Sequence, residues 1–386
     1  MIFLTLSVFP LCNTCCKLKP SSSCNHSNEE RLLRKITCVT PELYEAISVG
    51  YKVTHIYEIW SFNKLDPHVN GGLFGRYIDE AVKGKTEASG YPPDVKTESE
   101  KERYITDFHK STGIKLDQKN IIKNPGLRFL YKLMANSLWG KFAQRNRTSS
   151  TRFLKSYQEL TLLFKEAGIK INDIIFTNTS ALAKISVDEA LGEISSCTNV
   201  PIAAFVTSYA RLRLWRLINS LGTRVLYYDT DSVVFTQKKD EWAPKVGKNL
   251  GDLTDEIREF GEGAVAKSFI STGPKSYAIK VVLPDGQIKN IIKFKGISLN
   301  DTTSKLITFD TLRNLVRDRH SFSVPVRQFA PGKMGGVNLR NTQKTVNFTF
   351  DKRLIVNKTH FNTVPWGFKH PENLFDIDLD DSEPNE

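Results

Sequence analysis

YYDTDSVVF, residues 227–235, places two aspartates one residue apart between apolar runs, VLYY before them and VVF after. The flanks carry the β-branched and aromatic residues of buried strands. In a strand or tight hairpin, residues i and i+2 point to the same side, so Asp229 and Asp231 are expected to aim together. Two neighbouring carboxylates cannot both ionise cheaply, and a divalent cation removes the conflict. Hard oxygen ligands on a rigid turn suit Mg2+, which keeps several waters and usually also binds substrate phosphate. The stretch therefore predicts a hairpin presenting a magnesium–phosphate site. The plainer alternative is an Asp-rich surface turn with Thr230 and Ser232 as local hydrogen-bonding groups.

A second chemical pattern lies upstream in NPGLRFLYKLMANSLWGKFAQR, residues 124–145. Asn124 is a good N-cap and Pro125 fits the first helical position. Arg128, Lys132, Asn136 and Gly140 then recur every four residues and form one stripe. Leu127, Leu130, Met134 and Leu138 supply the expected core-facing side. Two cations in the stripe suit a polyphosphate, and a glycine inside a helix lets a base or backbone approach closely. Trp139 offers a flat packing face beside it. The competing reading is a solvated basic helix face.

The whole chain bounds these readings. Its 386 residues are 40% hydrophobic and 25% charged, enough for two or three packed subdomains, and the net charge of +12 favours a polyanionic partner. No run reaches the length of a membrane-spanning helix. The opening MIFLTLSVFPLC lacks a basic leader and a small-residue cleavage site, so a short strand or a misassigned start fits better than a signal peptide. Without secretion the six cysteines are expected to be reduced. Cys12 and Cys15 have the C-x2-C spacing of a metal knuckle, and Cys24 and His26 offer two further ligands. The C-x-H pair is tighter than usual, which favours non-ligating thiols over zinc.

Along the chain, residues 51–62 have strand chemistry, and 70–118 is polar, helical in part, with a loop at Gly90-Tyr91-Pro92-Pro93. Residues 150–198 are weakly patterned, and 201–221 reads as a proline-started amphipathic helix. Two strands are expected around KSYAIKVVL and NIIKFKGISL, joined at Pro284-Asp285-Gly286. The last sixteen residues hold seven acidic residues and no basic one, the pattern of a disordered tail.

Taken together, Lys132-x3-Asn136-Ser137-x-Trp139-Gly140 and Tyr227-x-Asp229-Thr230-Asp231-Ser232 resemble motifs B and C of family B DNA polymerases. Thr272-Gly273-Pro274-Lys275-Ser276-Tyr277 resembles their T-G-P-K-x-Y motif. Order and spacing are similar to the protein-primed organellar and viral branch, and IYEIWSF, EASGYP, KNPGLR, NVPIAAFVTSYARL and DKRLIV are similar to Polinton/Maverick-type transposon polymerases. The resemblance implies an α+β, partial right-hand polymerase fold. Its divisions are a palm edge and first insert at 1–118, a fingers helix at 119–149 and a second insert at 150–200. A palm at 201–300, a thumb at 301–370 and the acidic tail at 371–386 complete them. It also implies roles. Asp229 and Asp231 hold the two Mg2+ ions of nucleotidyl transfer. Lys132, Asn136 and Trp139, with Tyr227 near the primer end, contact the incoming dNTP. Gly140, Thr272, Gly273, Lys275 and Tyr277 face the primer–template. Trp139 departs from the pattern, since many family members carry Tyr there. Arg128 joins the triphosphate grip from its place in the stripe. A terminal protein is the implied primer, and a nuclear or virus-like setting is implied rather than secretion.

A third carboxylate, from a D-x2-S-[LM]-Y-P motif, is expected upstream of motif B but is absent from the sequence, as are exonuclease motifs. Residue 1 falls just after that motif would end, so the chain is expected to be the C-terminal half of such an enzyme, with little polymerase activity alone. The alternatives are a non-catalytic nucleic-acid-binding remnant and a zinc-knuckle interaction protein built on residues 12–38.

Overall fold

A computed structural model describes residues 9–20, 22–62, 72–144, 149–187, 198–247, 251–331, 337–350, 353–357 and 362–369. The leader-like start falls largely outside these residues, and the acidic tail entirely so. The architecture is α+β, with several small sheets whose strand pairs are all antiparallel.

The chain opens with three short helices, α1 (Asn13–Leu18), α2 (Asn28–Arg31) and α3 (Thr40–Ser48). The strand expected at 51–62 does not form: the segment is neither helix nor strand, with Ile56, Tyr57, Ile59, Trp60 and Phe62 exposed. Strand chemistry needs a neighbouring strand to satisfy its backbone groups, and among the described residues none pairs with this stretch.

The polar region folds as expected into α4 (Gly75–Glu87) and α5 (Glu98–Thr112) around the Gly90–Pro93 loop. Thr97 and Glu100 form a capping box at the start of α5, and Gly113 ends it in the left-handed region. Helix α6 (Pro125–Phe142) starts at the expected signal, with Asn124 Oδ1 accepting the Leu127 N–H at 3.0 Å.

Residues 149–187 make a small unit of their own: β1 (Ser149–Leu154), α7 (Tyr157–Lys165), β2 (Ile169–Phe176) and β3 (Ala181–Val187), in sheet order β1-β3-β2. Leu154, Leu163, Ala181, Ala183 and Ile185 form its core. Helix α8 (Val200–Leu221) follows, capped by Asn199 and carrying proline in its first turn. It buries Ala203, Ser208, Leu212, Trp215, Ile218 and Leu221. It packs on α3, where Arg216 donates to Glu45 and Arg211 pairs with buried Glu42, and it also touches α6 and β5. One helix therefore links the basic stripe to the carboxylate hairpin.

That hairpin is β4 (Val225–Asp229) and β5 (Ser232–Phe235). The strands predicted at 275–283 and 290–299 appear as β7 (Ser276–Val282) and β8 (Ile288–Lys293), with β6 (Val265–Gly273) completing their sheet. Pro284-Asp285-Gly286 turns between β7 and β8, where the Leu283 N–H donates to Gln287 O at 2.8 Å. Helices α9 (Asp301–Leu306) and α10 (Phe309–Asp318) and the ribbon β9 (Phe322–Pro331) and β10 (Val337–Val346) come next. Ala278 of β7, Ile307, Phe309, Leu312, Leu315, Val324 and Val346 share one core, so elements on both sides of residue 300 are packed together. A last pair, β11 (Leu354–Asn357) and β12 (Asn362–Val364), precedes a turn at Pro365–Phe368.

Candidate active site

The carboxylates sit where the hairpin turns. Asp229 ends β4 opposite Ser232, leaving Thr230 and Asp231 as a two-residue loop. The expectation of a buried strand is not met: Asp229 is half-buried, Asp231 is exposed, and no residue of 227–235 is fully buried. The hairpin is a two-stranded sheet with no third strand among the described residues, and one face is open, with Leu226 and Tyr228 exposed on it. Strand alternation also stops at Asp229, so the relation of the two aspartates is set by the turn. Thr230 has φ of 51°, and the Asp231 N–H donates to Asp229 O at 2.6 Å across it. A β-branched residue in the left-handed region is a genuine outlier, of the kind that persists where the surroundings over-determine it. Thr230 Oγ1 donates to Asp229 Oδ1 at 3.0 Å and Ser232 Oγ to Asp229 O at 3.1 Å, fixing the tip further.

A second tip faces this one. Between β6 and β7, Gly273-Pro274-Lys275 makes a tight turn in which Lys275 is also left-handed, φ 58°. Its backbone N–H donates to the Tyr227 hydroxyl at 2.8 Å, and its Nζ lies 3.7 Å from Asp229 Oδ2. Tyr227 packs against Tyr277 and Phe269, at centroid distances of 5.2 and 6.0 Å. Burial pushes the Tyr227 hydroxyl above its usual pKa, opposed by the Lys275 N–H and reinforced by the Asp229 charge. The Tyr277 hydroxyl, and then its charge, raise the neighbouring Lys293. Thr272 is buried, its carbonyl accepting from Thr349 N–H at 2.8 Å. Gly273 has φ of 147°, and a Cβ there would meet Thr349 O at 2.9 Å. Residues about 50 apart in sequence thus form one polar cluster under a carboxylate tip. Tyr227→Phe removes the acceptor for Lys275 N–H and is expected to cost ~1 kcal/mol. Amide exchange at Lys275 should speed up while exchange at the core of β7 does not; unchanged exchange at Lys275 would count against the bond.

Helix α6 carries the predicted stripe, and Arg128, Lys132 and Asn136 are all exposed. The expected core-facing side is only partly so: Met134 and Leu138 are half-buried, whereas Leu127 and Leu130 are exposed. The helix packs at its middle, where Tyr131 lies across Gly84 of α4 and Tyr77 OH donates to Met134 O at 3.1 Å, and at its end, where Phe142 meets Phe74 at a centroid distance of 5.1 Å. Trp139 is 44% exposed, and a Cβ on Gly140 would have nothing within 4 Å, leaving open space beside the ring.

The sequence stripe missed one member. Lys85, on α4, is held below its ordinary pKa by burial and by the charges of Arg128 and Lys132. The three cations therefore neighbour one another, and among the described residues no carboxylate forms an ion pair with any of them. No spacing rule links Lys85 to α6; only the α4–α6 packing brings it there.

The cysteine residues also converge. Cys12, Cys15 and Cys24 are buried, and with His26 they place one donor atom each within 4.8 Å of the others. Burial pushes the Cys15 thiol up to about 12. Burial acts the same way on Cys24, but hydrogen bonds from His26, Cys15 and Cys12 outweigh it and bring that thiol down to about 7. The tight C-x-H spacing, an objection at the level of sequence, is no obstacle. The segment around Cys24–His26 is neither helix nor strand, and Cys24 Sγ and His26 Nδ1 lie 3.6 Å apart there.

Comparison with known proteins points in one direction. Residues 96–220 match the family model described as DNA polymerase type B, organellar and viral. The chain is 30% identical over 217 residues to a DNA polymerase of Kluyveromyces lactis, an alignment covering 52% of this chain and 20% of that protein. It is 23% identical over 288 residues to a probable DNA polymerase of Agaricus bitorquis, covering 68% and 30% respectively. The chain thus spans less than a third of the length of these relatives. No solved structure matches it significantly. No helix among the described residues is long and apolar enough to cross a membrane.

Proposed function

We propose that this chain is the fingers, palm and thumb portion of a type B DNA polymerase of the protein-primed, transposon-related branch, and that it binds a primer–template and dNTPs. The observation that carries the reading is the pair of facing tips: Asp229-Thr230-Asp231 on one hairpin, Lys275 on the other, tied by Tyr227. Both hold a non-glycine residue in the left-handed region, and both lie in motifs that resemble polymerase motifs. Asp229 and Asp231 would hold Mg2+, which supplies Lewis acidity to an in-line displacement at phosphorus. Hard carboxylate oxygens on a rigid turn fit that ion. Lys132, Arg128 and Lys85 neutralise the triphosphate, Asn136 and Trp139 receive the sugar and base, and the open space at Gly140 faces the primer–template. Lys275, Tyr277, Thr272 and Gly273 position the primer–template. A terminal protein would supply the priming hydroxyl.

Binding measurements separate the parts. Affinity for a primed duplex should fall steeply with salt, because each lysine or arginine contact releases counterions. Lys275→Ala should weaken binding and reduce the log–log salt slope by about 1. Asp229→Asn with Asp231→Asn should not weaken duplex affinity, since anions repel phosphate and Asp229 Oδ2 lies 3.7 Å from Lys275 Nζ. The same pair should abolish Mg2+-dependent retention of a labelled dNTP. Retention that ignores both Mg2+ and the aspartates would favour a non-catalytic DNA-binding module instead.

A further inference from the structure

The Cys12–His26 cluster lies outside the polymerase reading and stands independently of it. We infer that Cys12, Cys15, Cys24 and His26 bind one structural Zn2+, and that the filled knuckle is the dock that clasps the Pro365–Phe368 turn to the start of the chain.

The donor geometry fits zinc. His26 Nδ1 lies 3.6, 3.2 and 3.6 Å from the sulfurs of Cys12, Cys15 and Cys24. Tetrahedral Zn2+ with its usual Zn–S and Zn–N bonds separates sulfur from nitrogen by about 3.6 Å. A Cys3His set with buried sulfurs leaves no open coordination position, as in structural rather than catalytic zinc sites. Soft thiolates with one imidazole exclude Mg2+ and Ca2+.

The surroundings complete the site. Cys12 caps α1, its sulfur accepting the Cys15 N–H at 3.4 Å. Arg31 Nη1 donates to Cys24 Sγ at 2.9 Å. A guanidinium can only donate, so this sulfur is an acceptor, as a thiolate is. Three thiolates and a divalent ion leave one negative charge, which Arg31 neutralises. Partners of this kind orient ligands and tune a metal site. Helix α2 holds Arg31 in place through the Ser27–Glu30 capping box and the Thr14 Oγ1 bond to Glu30 O at 2.7 Å.

The same groups grip the far end of the chain. Arg31 Nη1 also donates to Gly367 O at 2.8 Å, and the Cys24 N–H donates to Phe368 O at 3.2 Å. Trp366 packs against the three cysteines. Gly367 has φ of 86°, and a Cβ there would sit 2.4 Å from Cys12 Cβ and 2.6 Å from its backbone nitrogen. Only glycine allows so close an approach at that conformation. Among the described residues the knuckle's apolar core is three cysteines and one tryptophan, too small to fold unaided.

The test uses the full chain. Purified from zinc-containing medium and gel-filtered, it should carry about one zinc per chain. Cobalt substitution should give the intense d–d bands of a tetrahedral thiolate site. Cys24→Ser with His26→Ala should lose both signals. If either change only unfolds the chain, the cobalt spectrum of the unaltered protein decides. Gly367→Val keeps all four ligands and should retain zinc, while cleavage by trypsin after Lys369 speeds up at least tenfold. Iron in place of zinc, octahedral cobalt, or zinc that survives the double change would overturn the metal assignment. Unchanged cleavage in Gly367→Val would overturn the clasp. None of these readouts depends on DNA, Mg2+ or dNTPs, so the polymerase reading can fail without touching this one, and the reverse.

Discussion

Primer extension by this chain, supplied with Mg2+, dNTPs and a primed template, is expected to stay at the level of an Asp231→Asn control. Two-metal transfer requires a cage that holds both ions against the primer hydroxyl and the leaving pyrophosphate. Among the described residues, the groups of three or more metal-binding side chains reduce to the cysteine–histidine cluster; no third Asp, Glu, His or Cys closes on Asp229 and Asp231. Two carboxylates, one half-buried and one exposed, would hold such ions only loosely, and misplacement by an ångström alone costs roughly 10²-fold. The missing ligand and the open face of the β4–β5 hairpin together place the expected deficit at 10³-fold or more. The same argument makes the reverse prediction. Joining the chain to an upstream segment with a D-x2-S-L-Y-P carboxylate should restore extension, and Asp231→Asn should then abolish it. Robust extension by the chain alone that vanishes in Asp231→Asn would show that the pair needs no further ligand. Failure of the joined protein to extend would count against assigning these aspartates to catalysis.

The parts of the fold legible in sequence are those with local chemistry. Asn124-Pro125 announced α6, and Pro201 announced α8, because a cap or a proline acts within one turn. Pro284-Asp285-Gly286 announced the β7–β8 hairpin for the same reason. The unit at 149–187 was hidden by a register shift. Strand β2 carries an irregularity between Ile171 and Asp173, so Ile169 and Ile171 meet the core from one parity and Ile174 from the other. Such a bulge erases the alternation by which a strand is read. Residues 51–62 erred the other way: their alternation is real, but alternation does not supply a partner strand. At the site, Asp229, Asp231, Lys275 and Tyr227 were legible from motif resemblance. The left-handed Thr230 and the reach of Lys275 to Asp229 were not, because both depend on how two hairpins meet. Lys85 was illegible because its role exists only across the α4–α6 contact.

That contact yields the second large effect. Replacing Lys85, Arg128 and Lys132 together by uncharged residues is expected to weaken Mg2+-dependent dNTP retention by about 100-fold or more, and Lys132→Ala alone by about 10-fold. Each charge-assisted hydrogen bond to phosphate contributes roughly 1.5–3 kcal/mol. The stability of the unliganded chain should move the opposite way. Lys85 has its pKa lowered by burial, then by Arg128 and Lys132, so the free protein pays for holding it protonated. Its folded pKa lies below its unfolded one. The penalty is therefore fully present at pH 7, and it is relieved as pH rises through the depressed value toward the ordinary one near 10.5. Lys85→Met, which keeps an unbranched apolar stem, should thus raise the thermal midpoint at pH 7 and leave it unchanged at strongly alkaline pH. The gain should shrink in high salt, which screens the repulsion from exposed Arg128 and Lys132. Three like charges with no ion-paired carboxylate among the described residues are a cost to the empty fold that a polyphosphate removes. A merely solvated basic face predicts none of this, since exposed cations far from one another neither destabilise the chain nor share a ligand. A Lys85→Met protein that melts earlier at pH 7, or retains dNTP as well as the unaltered chain, would return α6 to that plainer description.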